Sequence, residues 1–286
     1  MRSPLAAASK TISRVKAAMK DLRQYKGWAL VTGASSGLGR EFARQIAVEG
    51  VNCVLVGLGS DALHALADEL THRHGVTCRA VEIDLASDNA VARVADVTAD
   101  IPIGILVNCA GVAHGGNFET RDPRKLELLV KLNCLATVLL TRAYLPQMLE
   151  RKAGAIVIVS SLQAFISCPY ESAYCASKAF LLHFGESLWG ELRDTPVDCL
   201  TLCPAGIKTD FFKMEGFSEA DCNRIQRYSS TPESIAALAL NKLGTTAIAM
   251  PFVTRLAAFL VRLSPRWLAL RLVRVITRQL VNHNDL

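Results

Sequence analysis

Short apolar runs alternate along this chain with longer stretches in which apolar residues recur every three or four positions. The runs are Trp28–Thr32, Val51–Val56, Val76–Ile83, Ile103–Val107, Ala155–Val159 and Val197–Leu202. They are mostly continuous rather than alternating, the pattern of strands covered on both faces. Helical periodicity fills the gaps over Leu38–Glu49, through Leu63, Leu66 and Leu70, and over Asn89–Ala99, Pro123–Leu149 and Tyr174–Leu192. Strand–helix alternation predicts a parallel sheet with helices on both faces, because right-handed crossovers place them there. The fold class expected is doubly wound α/β, with ligands at the carboxyl ends of the strands where the winding reverses.

Composition supports one such domain with attached ends. The chain has 286 residues, 51% hydrophobic and 20% charged, enough apolar material for a large core and far from a disordered or collagen-like composition. The expected division is a basic extension over 1–26, a catalytic domain over 27–250 and a helical segment over 251–286. Nine cysteines, with no C-x-x-C pair and most inside apolar runs, suit buried thiols in a reducing compartment better than a disulfide scaffold. The longest uncharged stretches, Ile101–Phe118 and Ala153–Tyr170, carry Gly, Pro, Asn or Ser, and neither reads as a membrane-spanning helix.

Charge divides the same way. Residues 1–27 carry +6 and residues 251–286 carry +5, leaving the body at −5 within a total of +6. A mildly acidic body speaks against nucleic-acid binding and leaves the two ends as candidates for anionic partners.

Three features carry chemistry. Thr32-Gly33-Ala34-Ser35-Ser36-Gly37-Leu38-Gly39 follows the first strand and opens the first helix, a turn whose glycines let the backbone approach a pyrophosphate at a helix N-terminus. Tyr174 and Lys178 stand at i and i+4 on one helix face, where a cation lowers the pKa of a phenol and readies it for proton transfer. Ser160 and Ser161 end the fifth strand, Asn108-Cys109-Ala110-Gly111 ends the fourth, Asn133 lies in the long helix after it, and Pro204-Ala205-Gly206 follows the sixth with Thr209 just beyond. Each alone is an ordinary cap, turn or helix residue. Together, in this order, they are hard to produce by chance.

At these residues the chain resembles the short-chain dehydrogenase/reductase family, closely over Gly27–Thr209 and loosely beyond. The resemblance implies a Rossmann-type fold, a nicotinamide cofactor and a catalytic tetrad at Asn133, Ser161, Tyr174 and Lys178. It implies cofactor contacts at Gly33, Ser35, Ser36, Gly37, Leu38, Gly39, Asp84, Leu85, Asn108, Ala110, Tyr174, Lys178, Pro204, Gly206, Ile207 and Thr209, and no metal. The sequence departs from the family pattern twice. Cys109 replaces an amide in the strand-four motif, and Ala205 is inserted in the Pro-Gly turn.

The expected reaction is the interconversion of a ketone and a secondary alcohol on a hydrophobic substrate. Tyr174 is acid or base, Ser161 holds the substrate oxygen, Lys178 holds the ribose, and Asn133 holds a water. The second strand ends Val56-Gly57-Leu58-Gly59-Ser60 without an acid, which favours NADP(H) over NAD(H), with Ser35, Ser36 and Arg40 as candidate phosphate contacts. Leu162, Phe165, Ile166 and Cys168, with Phe211, Phe212, Met214 and Phe217, form the candidate apolar pocket. It resembles the pockets of steroid, long-chain 3-oxoacyl and sphingoid ketone reductases.

Arg271, Arg274 and Arg278 stripe a helix opposite Leu268, Leu272, Val275, Ile276 and Leu280, a candidate for a membrane surface, a pocket lid, an oligomer contact or simple docking on the body. The basic, Ser/Ala-rich N-terminus is weakly like a transit peptide and lacks the apolar core of a secretory signal. A homo-oligomer in the cytoplasm or at a membrane surface is expected. Competing functions are those of a non-catalytic nucleotide-binding scaffold and of a membrane-associated interaction protein on the same fold.

Overall fold

The computed structural model describes residues 21–211, 227 and 229–280. Most of the basic N-terminal extension, together with Phe212, Met214 and Phe217 of the candidate pocket, lies outside the described residues.

Seven parallel strands make one sheet: β1 (Trp28–Thr32), β2 (Cys53–Gly57), β3 (Cys78–Glu82), β4 (Ile103–Asn108), β5 (Gly154–Val159), β6 (Val197–Leu202) and β7 (Ile248–Ala249). Their order is β3-β2-β1-β4-β5-β6-β7. The chain winds outward from β1 to β3, then returns to lay β4 against the other side of β1, with Val31 beside Val107. The winding therefore reverses between β1 and β4, and the expected Rossmann-type architecture is what the chain adopts.

Alternate residues of each strand enter opposite layers. Ala29 and Val31 pack with Phe42, Ile46, Leu63 and Leu240, from helices α1 (Gly37–Val48), α2 (Ser60–His74) and α6 (Pro232–Lys242). Leu30 packs on the other face with Val94, Leu140, Met148 and Leu188, from α3 (Ala90–Val97), α4 (Pro123–Glu150) and α5 (Ser172–Glu191). Burial on both faces explains why these strands read as continuous apolar runs.

The second strand begins later than expected. Val51 closes the turn after α1, its N–H bonded to the Ile46 carbonyl at 3.4 Å, and Cys53 opens the ladder. Two elements were not expected from the sequence: α6, whose Thr231 side chain caps the Ser234 N–H and whose Pro232 fills the first turn, and two-residue β7; α7 (Phe252–Leu263) falls within the helical segment expected over 251–286. The chain ends its described part in α8 (Arg266–Leu280).

α4 is long and apolar enough to cross a membrane by length and composition. Here it packs across β4 and β5 as a core helix of the sheet. Its helical course is widened by a π turn at Lys131–Leu135.

Candidate active site

Beyond β1 the chain turns through Gly33 into α1. Gly33 has φ +67°, a left-handed conformation that side chains disfavour, and a Cβ on Gly39 would run into the Gly33 carbonyl oxygen. The tight turn requires both glycines. Ser36 occupies the N-cap without making a side-chain cap bond, so the partial positive charge of the helix end is presented at the crevice. The Leu38 side chain belongs to the core; what this residue offers a ligand is its backbone. From the loop after β6, Thr209 closes over the turn, its Cγ2 3.2 Å from where a Cβ on Gly37 would stand.

Thr32 ties this turn to the end of β4. Its Oγ1 accepts from the backbone N–H groups of Cys109 at 2.9 Å and Ala110 at 3.0 Å, and donates to the Val107 carbonyl at 3.2 Å. Ala110 is thereby held against Gly33. The sequence reading assigned Thr32 no role, although a hydroxyl residue ending an apolar strand was the available signal. Asn108 donates from Nδ2 to Thr141 Oγ1 at 3.2 Å, fastening β4 to α4, while its buried Oδ1 has no hydrogen-bond partner among the described residues. Cys109 packs against the core layer that contains α1, and burial pushes its thiol up to about 12. The substitution at this position therefore bears on core packing.

Tyr174 and Lys178 are buried one turn apart on α5. Lys178 Nζ lies 5.5 Å from the centre of the Tyr174 ring and donates to the carbonyl of Val159, the last residue of β5, at 3.0 Å. The hydroxyl of Ser160 donates to the Lys178 carbonyl at 2.7 Å, pinning the strand end to the helix. Ser161 follows, half-buried, its Oγ accepting from the Gln163 N–H at 3.2 Å and capping the short turn Leu162–Ala164 that packs on α5.

Asn133 is fully buried in the π turn of α4. Its Oδ1 accepts from the Val112 N–H at 2.9 Å, and its Nδ2 donates to the Val112 carbonyl at 2.9 Å and to Ser177 Oγ at 3.0 Å. A Cβ on Gly111 would come within 3.0 Å of Asn133 Oδ1 and 3.6 Å of Lys178 Nζ. The strand-four loop, the amide and the ammonium thus converge at one place.

The Tyr174 ring packs with Ala113 and Leu129, and its centroid is 6.2 Å from that of Phe211. Leu162, Phe165 and Ile166 are half-buried; Cys168 is buried against α5, its N–H 3.4 Å from Cys175 Sγ. Ala113 and Val112 escaped the sequence reading because the loop carrying them has no periodicity. In the loops beyond, the Pro204 carbonyl accepts from the Leu162 N–H at 2.7 Å, the Gly206 carbonyl accepts from the Ser230 N–H at 3.0 Å, and Ile207 bridges to Ser230. The inserted Ala205 sits exposed at the bend between them.

Toward the outer strands, Asp84 is exposed and its Oδ1 accepts from the Ala86 N–H at 2.9 Å, while the Leu85 side chain lies in the core. Ser35 stands over the end of β2, its Oγ 3.3 Å from where a Cβ on Gly57 would be, and the Arg40 guanidinium donates to the Ser35 carbonyl. Arg40 Nε is buried without a hydrogen-bond partner among the described residues. Glu82, 23 residues along the chain on neighbouring β3, accepts from the Gly59 N–H at 2.8 Å. The end of β2 therefore does carry a carboxylate, delivered not by its own stretch of chain but by the neighbouring strand. The uncapped helix end, the glycine turn and the Thr209 closure fit a dinucleotide pyrophosphate, so the residues present suit a nicotinamide cofactor.

The short chain dehydrogenase family model matches residues 27–219. The chain is 40% identical over 186 residues to a very-long-chain 3-oxoacyl-CoA reductase of Podospora anserina, covering 62% of this chain and 55% of that protein. It is 34% identical over 232 residues to a protein of the same name from Neurospora crassa, covering 78% and 68%. The chain thus spans little more than half the length of the first of these relatives. A short-chain dehydrogenase from Sphingobium yanoikuyae in complex with NADPH superposes with a TM-score of 0.73 at 29% identity, covering 81% of this chain and 91% of that one. One from Burkholderia phymatum in complex with NAD gives 0.76 at 25% identity, covering 84% and 94%.

Proposed function

The chain belongs to the short-chain dehydrogenase family, and on that premise we propose that it is an NAD(P)(H)-dependent oxidoreductase that reduces a hydrophobic ketone, with Tyr174 as the general acid. The observation that carries the reading is the buried Tyr174–Lys178 pair, with the ammonium 5.5 Å from the phenol ring, on the helix packed beside the strand end that presents Ser161.

A bound nicotinamide would supply the hydride. Tyr174 gives its hydroxyl proton to the substrate oxygen in reduction and takes one back in oxidation. Ser161 hydrogen-bonds the same oxygen and holds it in reach of that proton. Lys178 favours negative charge developing on the phenol oxygen and holds the nicotinamide ribose. The side-chain amide of Asn133 is engaged by Val112 and Ser177, so its part is to hold the strand-four loop and α5 in place beside Lys178. The glycine turn, Asn108–Ala110 and the loop Pro204–Thr209 would hold the cofactor.

Phe211 and Ala113 beside the Tyr174 ring, with half-buried Leu162, Phe165 and Ile166 on the loop after β5, suit an apolar chain. The names of the relatives make a long-chain 3-oxoacyl thioester the first substrate class, ahead of steroid and sphingoid ketones. NADP(H) is favoured over NAD(H) because Arg40 and Ser35 stand at the end of β2, with Glu82 opposing them. The apolar strip of Val130, Leu135 and Leu139 on α4 and Phe180 on α5 is exposed and supports a homo-oligomer. A scaffold role is disfavoured because all four tetrad positions are filled.

The test is turnover of a long-chain 3-oxoacyl-CoA, followed by nicotinamide absorbance, in the chain and in Tyr174→Phe. The variant should lose about 10²–10⁴-fold in turnover, the usual reach of a positioned acid, with cofactor affinity nearly unchanged. Equal turnover by both refutes the assignment.

A further inference from the structure

The last two helices bury their small residues and expose their large ones. On α7, Thr254, Ala257, Ala258 and Val261 turn toward the body, whereas Phe252 is 77% exposed, Phe259 57% and Leu263 67%. With Leu256 these outward residues follow i, i+4, i+7, i+11, one continuous helical stripe. On α8, Ala269, Val273 and Thr277 turn inward, and Leu268, Leu272, Val275 and Ile276 point out. A helix docked on its own body does the reverse, putting large apolar residues in and charge out.

Arginines accompany both stripes: Arg255 and Arg262 flank that of α7, Arg271 and Arg278 flank that of α8, and Arg266 and Arg274 add charge further round the helix, with no Asp or Glu anywhere from 251 to 284. The Arg271 guanidinium sits over the Trp267 ring, 5.4 Å from its centre, so a cation and an indole share one edge of the stripe. A second copy of this chain would meet the apolar stripes while bringing two acid-free arginine rims together, and like charges face to face oppose that pairing. An anionic lipid surface answers both features, with acyl chains for the stripe and headgroups for the rim.

We propose that α7 and α8 form an in-plane docking face for anionic bilayer surfaces. The face is independent of the catalytic residues, so it stands or falls separately from the reductase reading.

The experiment is flotation of the full chain with phosphatidylcholine vesicles, with and without phosphatidylserine. Binding should be strong only with phosphatidylserine and should fall in high salt. The triple variant R271Q/R274Q/R278Q should bind phosphatidylserine vesicles about 100-fold more weakly, at about fivefold per arginine. The variant F259S/L260S/L263S should lose binding while keeping the circular dichroism and melting temperature of the parent. All these substitutions lie on exposed positions, and the arginine variant probes the face even if the serine variant fails to fold. No binding to either vesicle overturns the proposal. So does binding that both variants leave intact, which would assign it to the basic N-terminus. A mass in solution that halves in the serine variant, with vesicles ignored, also overturns it and makes the face a contact between copies.

Discussion

The amide of Asn133 donates to the hydroxyl of Ser177 at 3.0 Å, and that hydroxyl donates to the backbone carbonyl of Tyr174 at 2.7 Å. Two residues on different helices thereby clamp the π turn of α4 to the turn of α5 that bears the phenol. The same amide holds Val112 by both its N–H and its carbonyl. Position and chemistry at Tyr174 depend on this clamp.

Asn133→Ala removes three buried hydrogen bonds and leaves Val112 and Ser177 to satisfy themselves. Stability should fall by about 2–4 kcal/mol, at about 1 kcal/mol or more for each partner left unpaired. Turnover should drop more than KM changes, because the loss is in positioning. Ser177→Ala should cost less in denaturant unfolding. A stability loss equal to that of Asn133→Ala would contradict this account of the clamp.

Thr32→Val leaves the Cys109 and Ala110 N–H groups without their acceptor between β1 and β4. About 2–4 kcal/mol should be lost, together with cofactor affinity, since Ala110 then has no anchor against Gly33. Thr32→Ser should restore most of both in melting and cofactor titration. An unaffected Thr32→Val would show the tie to be incidental.

Arg40 and Glu82 act in opposite senses at the end of β2. Arg40→Ala should weaken NADPH about tenfold or more and NADH hardly at all, the loss of one charge-assisted contact. Glu82→Gln should tighten NADPH by removing a carboxylate near a 2′-phosphate. Fluorescence titration with both reduced cofactors measures this, and parallel changes for NADPH and NADH would place the 2′ position elsewhere.

Glu171 offers a pH signature. Burial holds its carboxyl above the usual carboxylate range, with the Gln163 side-chain amide donating to Oε2 at 2.9 Å in partial compensation. The folded chain binds this proton more tightly than the unfolded chain does. Its stabilising contribution is therefore complete below the unfolded value of about 4.3 and is lost as pH rises through the raised folded value. Glu171→Gln should flatten the decline of melting temperature across that window and raise stability above it. Melting curves that stay parallel at every pH would contradict this.

Much of the fold was legible in linear order because a parallel strand covered on both faces must be apolar at nearly every position, as in Ile103–Val107 and Ala155–Val159. The glycine turn was legible because a tight strand–helix junction tolerates few residues, as Gly33 and Gly39 show. Less was legible where packing, not local preference, sets the structure. Two-residue β7 exists because β6 offers it an edge, and the loop carrying Val112 and Ala113 takes its shape from Asn133.

The sequence by itself determined the layered architecture, the crevice at the reversal of winding and the helical spacing of Tyr174 and Lys178, because each follows from periodicity or steric necessity within a short stretch. Only the tertiary structure decided that Glu82 reaches the end of β2, that Asn133 spends its amide on Val112 and Ser177, and that α7 and α8 turn their large apolar residues outward. These depend on which distant segments the sheet order brings side by side, and hydrogen bonds and exposure are properties of that juxtaposition, not of any one stretch of chain.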